Sequence, residues 1–264
     1  MAEDKKKFDL VPRGAYGSDL VGNTLLIGLR ALDPLLQRHL LLHSPLPLLA
    51  SRLGLSSSAA AAAAALHAPV AGGPVLAATG LTPYQTVIWA MSIGAAAKHI
   101  FWKVATAQEP VYPGAAVAIS VFNTVFNSLN TLLYDASAEN PVYFAPWSVY
   151  VGTALFAGGL LSETVSEVQR HNFKRDPANK GKVYTAGLFS VVRHVSYLGY
   201  SMWRAGYALA SGGPVWGVVV GGWFLWDFGA RAIPILDEYM ANKYGEQWAK
   251  VKREVPYALI PGVW

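Results

Sequence analysis

The sequence predicts an all-α fold, a polytopic transmembrane helical bundle of about five to six spans. Three observations predict it. Hydrophobic residues make up 53% of the 264 residues and charged residues only 14%, well below the usual quarter for a soluble domain. Residues 111–134 and 141–162 hold no Asp, Glu, Lys or Arg, and each run is as long as the roughly 20 apolar residues a helix needs to cross a bilayer. The Lys and Arg residues gather between and after the apolar segments, which fits the cytoplasmic side of a membrane and excludes nucleic acid as the expected partner. The chain has no cysteine, so disulfides and thiolate metal sites are excluded, and no metal site is expected.

Residues 1–19 read as a flexible polar N-terminal tail, because they lack the apolar core of a secretory signal. Residues 20–110 form a variable N-terminal membrane region. Within it, residues 19–42 are apolar but carry Arg30, Asp33 and Arg38, so this segment either spans or lies in the interface as an amphipathic helix. The Ser/Ala-rich run 56–65 has low complexity and is followed by helix-breaking Pro and Gly, which leaves open whether it spans. Residues 82–106 form a span that ends in Lys98, His99 and Lys103, where Lys98 is expected to snorkel to the surface. Residues 111–264 hold the remaining membrane helices. Spans at 111–134 and 142–169 are joined by the turn "ASAENP", and the last turns of the second, with Glu163, Glu167 and Arg170, are expected to emerge into water. Residues 188–210 and 215–235 form a hairpin about "SGGP", and the tail from Asp237 is polar. The loop 170–182 carries five Lys/Arg against one acid, which assigns it and the C-terminus to the cytoplasm. The expected location is an internal membrane, the endoplasmic reticulum.

Polar groups inside the spans are costly and mark candidate sites. Asn123, Asn127 and Asn130 share one helical face; they either line a substrate cavity or make interhelical hydrogen bonds worth about 0.6 kcal/mol each. Glu163, beside the apolar core, is a candidate catalytic proton donor that burial would keep neutral, and His99 is a second. Glu167 stands four residues before His171, the spacing of a simple surface pair. Arg204, in mid-helix, is expected to pair with Asp227 or to reach a ligand.

The stretch "RHVSYLGY" needs more than a topology rule. Arg193, His194 and Tyr197 enter a helix with Gly199 one turn inside, and glycine there costs about 1 kcal/mol relative to alanine. Close approach of a ligand or of another helix would offset that cost. An arginine fork beside an imidazole and a phenol, where a helix meets water, can grip phosphate or ribose.

"NKGKVYTAGLFSVVRHVSYLGY" followed by "DEYMANKYGEQWAKVKREVPYALIPGVW" resembles the C-terminal half of a membrane superfamily. That group contains the steroid 5-alpha-reductases, the sterol C14 and C7 reductases, the isoprenylcysteine carboxyl methyltransferases and the DUF1295 proteins. The resemblance covers roughly residues 160–264. It implies a cytoplasmic cofactor pocket formed by the C-terminal half, with a lipophilic substrate entering from the lipid side. Arg193, His194, Tyr197 and Gly199, with Glu238, Tyr244 and Trp248 of the tail, carry over as cofactor-binding residues, and Lys174 and Asn179 match the DUF1295 branch. Val195 stands where the methyltransferases read Arg-His-Pro, and Tyr200 where sterol reductases place an acid. The positive charge of Lys174, Arg175, Lys180, Lys182 and Arg193 suits NADPH, so the expected function is NADPH-dependent reduction of a C=C bond in a sterol-like substrate. The alternatives are a methyltransferase using S-adenosylmethionine and a non-catalytic membrane protein.

Overall fold

The computed structural model describes residue 12 and residues 14–45, 78–138 and 146–264, and every regular element among them is helical. The lysine run 5–7, the Ser/Ala run 56–65 and residues 139–141 of "ASAENP" lie outside the described residues. Helix α1, Leu20–His43, is capped by Asp19, whose side chain accepts the Gly22 N–H at 2.6 Å. Helix α2, Pro83–Phe101, starts with a reciprocal capping box between Thr82 and Gln85 and with proline in its first turn. It runs on into a π-helical turn, Trp102–Thr106. Helices α3, Pro113–Ala138, and α4, Pro146–Arg175, follow. Helix α5, Val195–Asp227, leads through a second π-helical turn, Phe228–Ala232, into α6, Ile233–Tyr244, and α7, Glu246–Glu254.

Two of these segments, in α3 and beginning at α5, are long and apolar enough to cross a membrane. Their outer faces agree. Val117, Val121, Val125 and Leu129 recur once per turn of α3 and are all exposed, as are Val215, Val218 and Trp226 beyond the middle of α5. Water penalises such a stripe by about 25 cal/mol per Å² of apolar area, whereas lipid accepts it. The described residues form an all-α fold with two segments long and apolar enough to cross a membrane.

The expected hairpin is present. Gly213 has φ of +77° and is followed by Pro214, and the chain reverses there. A Cβ on Gly217 would lie 2.9 Å from Cβ of Leu209, and one on Gly221 would lie 2.9 Å from Cβ of Ala205, so the two arms run antiparallel about Gly213. The hairpin begins later than expected. Residues 187–190 form a 3₁₀ turn, and the helix starts at Val195. The reason is pairing with the distant tail: the Arg193 and His194 N–H groups donate to the Tyr257 and Ala258 carbonyls at 3.1 and 3.0 Å, which fixes those two residues outside the helix.

Helices α4 and α5 meet through glycines. Gly159 faces the backbone of Gly199 and Trp203, and Gly152 faces Gly206 and Ala210, the small-residue packing of membrane helices. Gly199 belongs to this seam: a Cβ there would lie 2.8 Å from the Gly159 carbonyl oxygen and from the Glu163 nitrogen. A partner helix, then, occupies the space its missing side chain leaves.

Helix α1 packs inside the bundle through a polar network with α3. Asp33 accepts from Arg30 at 3.2 Å, Gln37 at 2.9 Å and Asn127 at 2.6 Å, and Thr131 donates to Gln37 at 2.8 Å.

Candidate functional site

The ends of α2 and α4, the start of α5 and the turn before α6 enclose two cavities. The inner one, of about 750 Å³, is walled by Phe122, Asn123, Tyr200, Trp223 and Phe224 and holds Lys98, His99, Glu163 and Glu167 on one side. The second, of about 500 Å³, lies toward the polar rim and is lined by Lys174, Tyr184, Tyr239, Tyr244 and Trp248, with Gly14 and Tyr16 of the segment before α1. Trp102, Glu167, Arg193, His194 and Tyr197 line both, so the cavities adjoin. Both π-helical turns border the inner cavity, through Trp102 and through Phe228 and Arg231, a placement common for such turns at functional sites.

The rim is built from the tail inward. Arg193 Nη1 donates to the Val255 and Pro256 carbonyls at 2.7 and 2.8 Å, while its buried Nε has no partner. Its guanidinium is thus aimed at the terminal segment, beside the hollow. His194, Tyr197 and Phe228 form a stack, with ring centroids 5.7 and 4.6 Å apart. Trp248 stands edge-on to His194 at 6.3 Å, and its indole N–H is buried without a partner. Lys174 Nζ donates to Tyr244 Oη and to the Lys182 carbonyl, both at 2.7 Å, which fastens the basic loop to α6. Asp237 Oδ1 lies 3.5 Å from His194 Nε2, an ion-pair distance longer than a good hydrogen bond. Burial raises the Asp237 carboxyl, but contact with His194 and the charges of Lys252 and Arg193 outweigh it and hold the group below its ordinary value.

Deeper in, Lys98 bridges two carboxylates. Its ammonium bonds Glu163 Oε1 and lies 3.4 Å from Glu167 Oε1. Trp203 Nε1 donates to Glu163 Oε2 at 2.7 Å. Both oxygens of Glu163 are therefore engaged, whereas Glu167 Oε2 is buried without a partner. His99 lines the inner cavity and its Nδ1 also lacks a partner.

Several sequence-based expectations need correction. Lys98 does not snorkel: it is 6% exposed, because two carboxylates hold it inside. Glu163 and Glu167 do not emerge into water, and Glu167 does not pair with His171, whose ring meets the Thr106 carbonyl at 3.2 Å instead. Arg204 does not pair with Asp227. Asp227 is held by Arg231 at 2.6 Å, and Arg204 bonds Asn123 and Tyr200 with Trp203 4.3 Å from its guanidinium carbon.

Of the three asparagines, Asn123 lines the inner cavity. Asn127 is spent on Asp33, and Asn130 accepts from Trp216 Nε1 at 2.7 Å. Asn179 donates to the Phe173 carbonyl in the last turn of α4, Glu238 is exposed, and neither lines the two cavities. Glu167, the carboxylate common to both hollows among the described residues, was not among the site residues expected from sequence. The available signal was Lys98, a buried cation that needed a counter-charge from a helix distant in sequence.

Residues 115–255 match the family described as DUF1295, a protein of unknown function. The chain belongs to the DUF1295 family. It is 38% identical over 251 residues to the probable O-methyltransferase ustE of Ustilaginoidea virens, a match covering 92% of this chain and 86% of that protein. A shorter stretch of 75 residues, 28% of this chain and 38% of the relative, is 28% identical to protein-S-isoprenylcysteine O-methyltransferase B of Arabidopsis thaliana.

These matches overturn the expectation of an NADPH-dependent oxidoreductase acting on a C=C bond, since both relatives bear methyltransferase names. The charge argument behind that expectation counted loop residues that stand away from the cavity. Of Lys174, Arg175, Lys180, Lys182 and Arg193, Lys174 and Arg193 line the rim cavity, together with Arg170 and Lys243. The remaining three belong to the solvated loop, where the topology rule alone accounts for them.

Proposed function

We propose that this protein is a membrane O-methyltransferase that takes its methyl group from S-adenosylmethionine and passes it to a lipophilic acceptor. The observation that carries the reading is the pair of adjoining cavities, one polar and near the tail, the other walled by aromatic rings and bordered by lipid-facing Phe122 and Trp223. When bound, S-adenosylmethionine supplies an electrophilic methyl group on a sulfonium.

The residues of the rim suit it. The unpartnered Trp248 N–H and the stacked rings of His194 and Tyr197 offer a donor and flat faces for a purine. Arg193 and Lys174 offer cations for the amino-acid carboxylate, and Tyr244 holds Lys174 in place. The Glu167 carboxylate at the junction and the aromatic faces around it favour a sulfonium cation. The inner cavity excludes water from the acceptor, and Asn123, held by Arg204, gives it a polar contact. In this reading the loop 170–182 and the tail face the cytoplasm, in an internal membrane such as the endoplasmic reticulum.

Thermal unfolding of the detergent-purified protein tests the proposal. S-adenosylmethionine at about a hundred times its dissociation constant adds about 2.7 kcal/mol of stability, and NADPH adds none. Arg193→Ala weakens S-adenosylmethionine about tenfold or more, or roughly 1.4 kcal/mol. Absence of any stabilisation by S-adenosylmethionine sinks the reading.

A further inference from the structure

Resting on the methyltransferase reading, we infer that the acceptor is a phenolic hydroxyl on a flat apolar molecule and that Glu167 receives its proton. Transfer between a rim ligand and an inner ligand takes place where the two cavities meet. Among the described residues, Glu167 is the carboxylate that lines both. Glu163 lines the inner cavity with both oxygens occupied, and His99 lines the inner cavity alone. Glu167 is 7% exposed, its Oε1 lies 3.4 Å from an ammonium already bonded to Glu163, and its Oε2 has no partner. An orphaned buried acceptor is costly unless a donor arrives, and an acceptor hydroxyl is such a donor.

Charge selects between acceptor classes. Beside Glu167, the buried end of the site holds Glu163 and Lys98; Asp227 and the cations Arg170, Arg193 and Arg231 also line the cavity, and the buried Arg204 bonds its Asn123. A neutral hydroxyl adds no charge next to Glu167, while a carboxylate acceptor there sets a third negative group against Glu163 and Glu167 in a low-dielectric pocket, where the penalty is large.

The wall selects further. Trp102, Phe122, Tyr200, Trp223 and Phe224 offer flat faces that suit an aromatic ring. A phenol, with a pKa of about 10, gives up its proton to a carboxylate during transfer far more readily than an alkanol, whose hydroxyl resembles water at about 15.7. In the step, the phenol O–H breaks and its proton passes to the Glu167 carboxylate. The oxygen bonds the methyl carbon as the C–S bond breaks, and the sulfonium becomes a neutral thioether with that electron pair. The proton then leaves through the rim cavity to water.

The test compares 2-naphthol with 2-naphthoate, read by quenching of tryptophan fluorescence in the purified protein without any methyl donor. The wild type binds 2-naphthol about tenfold or more tighter than 2-naphthoate. Glu167→Gln, near-isosteric and leaving the Lys98–Glu163 pair in place, brings the two within about threefold. With S-adenosylmethionine the wild type forms the naphthyl methyl ether and no methyl ester. Equal wild-type affinities, a ratio unmoved by Glu167→Gln, or ester formation overturns the inference. Ester formation by a protein that S-adenosylmethionine stabilises leaves the methyltransferase reading standing. A protein that S-adenosylmethionine does not stabilise loses both.

Discussion

Two polar clusters are buried in this bundle, and they differ in what they face. The cluster between α1 and α3 gathers Arg30, Asp33, Gln37, Asn127 and Thr131, and none of them lines either cavity. The cluster between α2, α4 and α5 gathers Lys98, Glu163, Glu167 and Trp203, and three of its members line the inner cavity. Both satisfy the rule that charges at bilayer depth are paired. The first is helix-to-helix adhesive. Both keep unpartnered buried polar atoms, but in the second the free acceptor, Glu167 Oε2, belongs to a residue that lines a hollow. Buried charge in a membrane thus marks a candidate, and access separates structure from chemistry.

The comparison can be broken in three places. The largest effect is expected at the seam that holds the second cluster together. Gly159→Val places side-chain atoms against the backbone of Gly199 and Trp203, and the loss should exceed about 3 kcal/mol. Size-exclusion chromatography in detergent should show aggregate in place of a monodisperse species. Next, Asp33→Ala leaves Arg30 without its carboxylate, at a cost of about 3–5 kcal/mol. Its melting temperature should fall well below that of wild type, while the folded fraction keeps the wild-type dissociation constant for S-adenosylmethionine. A weakened constant would erase the distinction between the two clusters.

The smallest effect concerns Asp237, at the rim. Its carboxyl is held below the ordinary value, so its contribution to stability is present above the ordinary carboxylate pKa of about 3.9 and disappears as pH falls through the lowered folded value. Asp237→Asn should melt slightly below wild type at neutral pH, and the difference should vanish in strong acid. A difference that persists there would place the Asp237 contribution in packing rather than charge.

Part of the rim was legible from residues and part from the family resemblance. Arg193, His194 and Tyr197 stood out in one basic stretch, Lys174, Tyr244 and Trp248 were carried over by the resemblance, and all six line the rim cavity. The inner site was less legible. Glu167 and His171 stand at a spacing that offers a local partner, and that plausible pair hid the distant Lys98. Arg204 and Asp227 were matched because their helices adjoin, yet Arg231, one turn from Asp227, claims it. Asn127 and Asn130 fit a cavity lining as well as they fit adhesive, since a helical face does not say what stands opposite.

By itself the sequence determined the helices, their membrane setting and the reversal at Gly213, because run length, charge placement and the Gly-Pro break are local properties of the chain. Only the tertiary structure decided which buried charges meet. Lys98 and Glu163 lie 65 residues apart, and they are joined because glycines let α4 and α5 approach closely while α2 packs against them. No periodicity within a single segment encodes a contact made among three.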